Sequence, residues 1–366
     1  MTTIRPSSID ELAEAVPRHA RLCVRGAGTK PALSAPTEGH AVLDMSALRG
    51  ITEYTPAECT FTALAGTPVA EVVHALRAHG HVLPFDPPLV DAGATLGGTV
   101  AAGINGPCRY RFGGIRDFLI GARIVDGRGR VSRGGGAVVK NAAGFLIHQA
   151  LVGSCGRLGV LAELTFKVFP EPPAHVTIGV GIGDTRSALR VLSAVQAARI
   201  DAEALDVEAG RRVWVRIGGF PEALPARIEA LRRVLGPSCE ILGGDDDARL
   251  WQAAGEFAWA PADLALVRVP TSPSSIADLD AAMAHLGHLR RISVGGHLLW
   301  VACAWSEVEP LDAVLRERGA VGQVLRGPHG RPFIGARADS PVEARLKAVL
   351  DPDGRFQQAG NDSRPA

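Results

Sequence analysis

The six residues in this chain best suited to chemistry form a polar turn, Arg25-Gly26-Ala27-Gly28-Thr29-Lys30, after the apolar strand-like run Arg21-Leu22-Cys23-Val24. Two glycines, a hydroxyl and two cations in six residues offer free peptide N–H groups and positive charge. Such concave runs of amides bind anions without a helix. A strand that ends in Gly-x-Gly raises the dinucleotide fingerprint G-x-G-x-x-G, but its third position here is Pro31, and Pro31 and Pro36 interrupt the helix that should follow. A phosphate-binding loop of the Gly-Lys type is excluded, since no Gly-Lys pair occurs in the chain.

A second chemistry-bearing feature is the stretch from Asp91 to Pro170, which holds 17 of the 43 glycines. A glycine inside an element costs about 0.5–1 kcal/mol relative to Ala, so such clustering needs a cause. Tight turns between short strands are one; a large flat ligand lying against bare main chain is the other, and the clustering favours it. The clusters are Ala94–Gly103, Gly113–Gly121, Val139–Phe145 and Val152–Glu163. The six cysteines, Cys23, Cys59, Cys108, Cys155, Cys239 and Cys303, stand singly and read as small buried thiols rather than cluster or zinc ligands. No H-E-x-x-H or calcium loop occurs, so no metal site is expected. His74, His79 and His81 read as solvated or capping groups.

At 366 residues the chain has room for two or three domains. A net charge of +1 without a basic block argues against nucleic acid, and 46% hydrophobic with 21% charged residues is an ordinary globular balance. No signal-peptide core or spanning apolar run is present, which reads as cytoplasmic, with contact at the inner membrane only through partners. Ser7–Val16 has the pattern of a capped helix, Pro68–Gly80 that of an amphipathic helix closed by glycine, and Leu119–Val125 and Val131-Ser132 flank a hairpin turn at Asp126–Gly129. After Glu171-Pro172-Pro173 the texture changes. Strand His175–Ile182, helix Asp184–Ala198, strands Ala204–Glu208 and Arg212–Ile217, helix Pro221–Leu235 and strand Cys239–Leu242 give the order β-α-β-β-α-β of a ferredoxin-like unit. A looser second round runs from helix Asp246–Glu256 to strand Gly322–Leu325. Helix Pro341–Leu350 comes last, and 361–366 reads as disordered.

The order and spacing of Arg25–Lys30, Leu83–Pro88, Ala94–Gly103, Gly106-Pro107, Gly114–Gly121, Gly135-Gly136, Val139–Gly144 and Gly153–Glu163 resemble those of the E-type FAD-binding subunits of bacterial glycolate oxidases, within the vanillyl-alcohol-oxidase-like flavoproteins. Leu266–Pro270 and Leu346–Pro352 extend the likeness more weakly. The resemblance implies an α+β fold: a two-part PCMH-type FAD-binding domain at 1–170, a ferredoxin-like α+β cap for substrate or docking at 171–330, and a C-terminal segment at 331–366 that returns to the FAD domain. It implies non-covalent FAD held by Arg25, Gly26, Ala27, Gly28, Thr29 and Lys30 at the pyrophosphate. Asp86, Pro87, Thr95, Gly97, Gly98, Gly103, Asn105 and Gly106 would lie along the cofactor, with Arg116, Asp117, Lys140, Asn141 and Gly144 in support and Gly159 and Val160 near the adenine. Cys108 and His148 are the nearest residues for a covalent link.

The implied activity is oxidation of a small 2-hydroxy acid by an FAD-binding subunit of a glycolate oxidase complex. Its partners would be a sister FAD-containing catalytic subunit and an iron–sulfur subunit that takes the electrons. The alternatives are a docking subunit without catalysis of its own and a stand-alone FAD-dependent alcohol oxidoreductase. Removing a hydride from the hydroxy-acid carbon needs a base for the hydroxyl and a cation for the carboxylate; Arg268, His297 and His329 are the candidates. The chain departs from the family at Phe145-Leu146, where Tyr-Asp is usual, and at Phe356-Gln357-Gln358-Ala359-Gly360, where Phe-Asn-Pro-Gly is usual.

Overall fold

A computed structural model of the chain describes residues 2–136, 147–208, 210–328, 330–337 and 340–358. Lys140, Asn141, Gly144, the Phe145-Leu146 departure, His329 and the 361–366 tail lie outside the described residues.

The chain begins with a three-stranded parallel sheet in the order Thr3–Ile4, Ala41–Asp44, Leu22–Arg25. Helix Ile9–Ala15 crosses over between the outer two strands; Ser8 caps it by accepting from the Glu11 N–H, and Glu11 reaches back to the Ser7 N–H. Pro31 limits the segment after the second strand to the single 3-10 turn Pro31–Leu33, so the strand runs into a turn instead of a helix.

The glycine-rich half then builds a five-stranded antiparallel sheet in the order Ile51–Thr55, Thr60–Leu64, Val160–Lys167, Leu119–Val125, Val131–Gly135. Phe61, Phe85, Phe118 and Phe166 pack together in its core, with Val69, Val72 and Leu76 of helix Val69–Arg77. The cluster at Gly97-Gly98 is helical: Leu96–Ala102 forms two turns, capped by Thr95 and closed by Gly103 at φ +65°. A Cβ on Gly97 would stand 2.7 Å from the Cβ of Ala65, so close helix–sheet approach keeps that position glycine. His81, expected to be solvated, is buried instead. The strand His81–Val82 pairs with Phe169–Pro170, and its ring nitrogens meet the Tyr54 hydroxyl at 2.6 Å and Cys59 Sγ at 3.7 Å.

Residues 174–335 form one nine-stranded antiparallel sheet. Its first four strands in space, Cys239–Gly243, Ala174–Gly181, Arg212–Gly219 and Ala204–Glu208, have the ferredoxin-like order 4-1-3-2. The next four, Leu289–Ser293, Leu298–Cys303, Ala265–Pro270 and Val321–Arg326, read 2-3-1-4, the mirror of that order, and Phe333–Gly335 is added at the edge. The second round, which the sequence gives only loosely, is thus a full β-α-β-β-α-β unit. The two units join through antiparallel pairing of Val207 with Ile292 and Glu208 with Arg291.

Alternate residues of these strands face opposite ways. Val267, Val269, Leu299 and Val301 turn toward helices Thr185–Ala197, Leu224–Leu235, Ile276–His285 and Val308–Glu317. Leu266, Leu298, Trp300 and Leu325 turn the other way, onto Ala102 and Ile104 at the end of the glycine-bearing helix. The chain closes with helix Pro341–Leu350 and a segment that lies beside the first parallel sheet, where Phe356 bridges Leu22.

Candidate FAD site

The Gly26–Lys30 turn, helix Leu96–Ala102 and the 154–159 turn converge on one cavity of about 710 Å³, counting the space at its mouth. Gly28 adopts φ +73°, a left-handed conformation open to glycine at little cost. Among the described residues, none of the N–H groups of Ala27, Gly28, Thr29 and Lys30 donates to a protein acceptor. Lys30, only 6% exposed, lines the same cavity; its ammonium reaches Thr29 Oγ1 at 3.1 Å and pairs with no carboxylate among the described residues. Burial lowers its pKa to about 8. Opposite, the buried hydroxyl of Ser154 has no partner. The wall is therefore a set of unspent donors around an apolar interior made by Val24, Met45, Ala65 and Leu161.

Of the residues expected from the sequence, Gly26, Ala27, Gly28, Thr29, Lys30, Thr95, Gly97, Gly98 and Gly159 line this cavity. Arg25 precedes the turn as the last residue of strand Leu22–Arg25, and Gly103 ends the helix against the backbone of Gly153, 2.9 Å from where a Cβ would stand. Asp86, Pro87, Asn105, Gly106, Arg116, Asp117 and Val160 do not line it. Asn105 Oδ1 accepts from the Ile115 N–H at 2.6 Å, and Asp117 accepts from the Gly114 N–H; both serve the turn of helix Ile115–Phe118. Arg116 and Asp117 are exposed, and Val160 opens strand Val160–Lys167 with its side chain in the core. Asp86, at φ +55°, lies against Gly106, and burial raises its carboxyl pKa. Ser34, Met45 and Ala65 line the cavity unannounced, because small or apolar residues carry no local signal of a ligand, whereas Ala101 and Ala102 fall within the Ala94–Gly103 cluster expected there. Cys108 and His148 are both buried away from it.

Arg268 borders the cavity through one intermediary. It lies two residues after Leu266, hence on the sheet face that meets the glycine-bearing helix, and its Nη1 donates to Gln323 Oε1 at 3.2 Å. Gln323 Nε2 in turn donates to the Ala102 carbonyl at 2.9 Å and lies 3.9 Å from Cys155 Sγ. Arg268 Nε is buried without a partner; burial, with the positive charge of Arg109 nearby, lowers its pKa to about 10. His297 is exposed on the turn between two strands and does not join this group.

A family model for an FAD binding domain matches residues 2–145. The glycolate oxidase subunit GlcE of Escherichia coli (strain K12) is 32% identical over 356 residues, 95% of this chain and 94% of that one. The chain belongs to the GlcE family of FAD-binding subunits. The glycolate oxidase subunit GlcD of Bacillus subtilis (strain 168) is 28% identical over 54% of this chain and 43% of its own. Among solved structures, an alkyldihydroxyacetonephosphate synthase superposes with a TM-score of 0.73 over 96% of this chain and 74% of that one, at 16% identity. The fold is accordingly the PCMH-type FAD-binding fold with an α+β cap, and the chain is an FAD-dependent oxidoreductase subunit. Its cavity fits the cofactor on its own features: free amides and a buried cation for phosphates, an orphan hydroxyl, and an apolar wall for a flat ring system. Among the described residues no helix is long and apolar enough to cross a membrane, and no group of three or more His, Cys, Asp or Glu is placed to hold a metal.

Proposed function

We propose that the chain is the FAD-bearing subunit of a glycolate oxidase complex. It would oxidise a small 2-hydroxy acid and pass the electrons to an iron–sulfur partner, beside a sister FAD-containing subunit. The GlcE and GlcD relatives support the complex, as both are named glycolate oxidase subunits. In this reading residues 1–170 hold the cofactor and the nine-stranded sheet caps it; Phe333–Gly335 belongs to that sheet, so the segment that returns to the cofactor domain begins later than the expected residue 331, with helix Pro341–Leu350. In this reading Ala27–Lys30 hold the pyrophosphate without a covalent link.

The observation that carries the substrate class is Arg268, a buried guanidinium with an unspent N–H and no carboxylate partner among the described residues. Such a group is costly to bury unless an anion completes it. It stands one side chain from the cavity wall, so a substrate carboxylate is the fitting counter-ion. The bound flavin supplies the acceptor for the hydride of the hydroxy-acid carbon. Arg268 orients the carboxylate and Gln323 fixes Arg268.

A second reading, a flavin-bearing docking subunit whose sister does the chemistry, is favoured by one observation: His297, a candidate base, is exposed away from the cavity. The visible spectrum of the purified chain, followed through anaerobic addition of glycolate and then D-lactate, separates the two. Bleaching with either acid supports the catalytic role. A flavin that stays oxidised until the partner subunits are added supports docking, and a colourless protein refutes both.

A further inference from the structure

Strands Ile51–Thr55 and Thr60–Leu64 of the five-stranded sheet are joined by the 3-10 turn Pro56–Glu58, and Cys59 ends that turn in the left-handed region at φ +51°. The Cys59 carbonyl accepts from the Val168 N–H at 2.8 Å, which sets the turn beside the paired strands His81–Val82 and Phe169–Pro170. Three side chains meet there. Cys59 Sγ lies 3.7 Å from His81 Nε2, and His81 Nδ1 lies 2.6 Å from the Tyr54 hydroxyl. None of the three lines the cofactor cavity.

A thiol, a base within its reach and a third group that holds the base are the parts of an activated nucleophile. With its proton on Nδ1, the imidazole donates to the Tyr54 oxygen and turns the Nε2 lone pair toward sulfur. His81 is 8% exposed, whereas Cys59, expected from the sequence to be a buried thiol, is only half-buried. The base is thus held in place while the sulfur keeps a path to solvent. The other five cysteines lack this setting. Cys23, Cys108 and Cys303 are buried, and burial raises the pKa of each thiol. Cys155 and Cys239 are half-buried, but among the described residues neither meets an imidazole. The titratable groups around the cluster are Glu58 in the turn, His79 edge-on to Tyr54 at 5.0 Å, Lys167 on the strand opposite Thr60, and Glu171 after the strand that pairs with His81.

We infer that Cys59 is a peroxide-reactive thiol, with His81 as its base and Tyr54 as the residue that positions His81. The co-reactant is hydrogen peroxide or a small hydroperoxide, compact enough for a half-buried sulfur. Sulfur attacks one peroxide oxygen, so that an S–O bond forms as the O–O bond breaks. His81 Nε2 takes the thiol proton and passes it to the departing oxygen. A thiol and a hydroperoxide become a sulfenic acid and an alcohol, or water from hydrogen peroxide; sulfur loses the two electrons that the peroxide gains.

Exposure of the full-length chain to hydrogen peroxide in the presence of dimedone, which traps sulfenic acids, followed by peptide mass spectrometry, tests this. At pH 7 the adduct should form at Cys59 at least ~10-fold faster than at Cys155 or Cys239, a modest share of what a positioned base supplies. His81→Gln should slow the Cys59 reaction at pH 7 by at least ~10-fold, and Tyr54→Phe by a smaller factor. Both deficits should close near pH 10, above the ordinary thiol pKa of about 8.5, where sulfur ionises without a base; a purely structural loss would persist there. Faster labelling of Cys155 or Cys239, an unchanged Cys59 rate in His81→Gln, or a deficit that survives at pH 10 would overturn the inference. If His81→Gln does not fold, the pH profile of Tyr54→Phe and the ranking of the three cysteines in the natural chain decide.

Discussion

At the scale of single residues the site depends on charge held out of water. Lys30 is buried beside free amides, and burial lowers its pKa to about 8 from an ordinary value of 10.5. The sign of the effect is fixed by linkage: the flavin-free chain bears the cost of a buried ammonium below pH 8, and loses that cost as pH rises from 8 toward 10.5. Phosphate binding needs the charged form. We therefore expect the FAD dissociation constant to be flat below pH 8 and to rise with pH above it, approaching tenfold per pH unit. Lys30→Met should weaken binding at pH 7 by about 10–100-fold, the value of a hydrogen bond to a charged group, and remove the pH dependence. Flavin fluorescence titrations from pH 6.5 to 9.5 measure both. At Gly28 the argument is steric and electrostatic together: an aspartate there must adopt φ +73° and places a carboxylate at the phosphate turn. Gly28→Asp is expected to purify without flavin, and full FAD occupancy in that variant would remove the turn from the site.

At the scale of elements, helix Leu96–Ala102 is the piece on which the site is built. It carries two glycines in seven residues, a composition that disfavours helix. The compensation is packing and capping: Thr95 Oγ1 accepts from the Gly98 N–H at 3.3 Å, and Gly97 lets the helix settle on Ala65, where a Cβ would also meet the Ala65 carbonyl oxygen at 2.9 Å. Gly97→Ala should improve intrinsic helix propensity and yet destabilise the chain by about 1–3 kcal/mol through overpacking. Thermal unfolding of the two proteins decides which effect wins; a raised melting temperature would show that the close approach is dispensable.

At the scale of the whole molecule, the nine-stranded sheet is two ferredoxin-like units joined edge to edge. The seam is pinned by a buried ion pair, with Arg291 Nε donating to Asp206 Oδ2 at 2.9 Å and Ser293 Oγ donating to Oδ1 at 2.5 Å. Asp206 is 1% exposed and Arg291 is 5% exposed. Removing Asp206 leaves the buried Arg291 guanidinium with only the long contact of its Nη1 to the half-buried Glu208 Oε1 at 3.4 Å, so Asp206→Ala should cost about 3 kcal/mol, the low end for a broken buried pair. Because the seam holds the strands that carry Arg268 and Gln323 over the cavity, the same variant should also release flavin at lower denaturant than the natural chain. Paired circular dichroism and flavin fluorescence during urea unfolding would detect the two losses.

Elements whose signals are local are encoded in short stretches of the chain. Turn glycines, the capped start of the first helix at Ser8, the strand alternation after 171 and the first β-α-β-β-α-β round were all legible, because each depends on neighbours a few residues away. That the Gly26–Lys30 turn would offer free N–H groups beside a cation was legible for the same reason. The meetings between distant segments depend instead on how the chain packs. Asn105 and Asp117 look like ligand-binding polar residues in sequence, but their hydrogen bonds are spent on a local helix start. Arg268 and Ser154 become distinctive only because packing buries an N–H and a hydroxyl without partners, and an unpaired polar atom is a property of the folded surroundings and not of the residue.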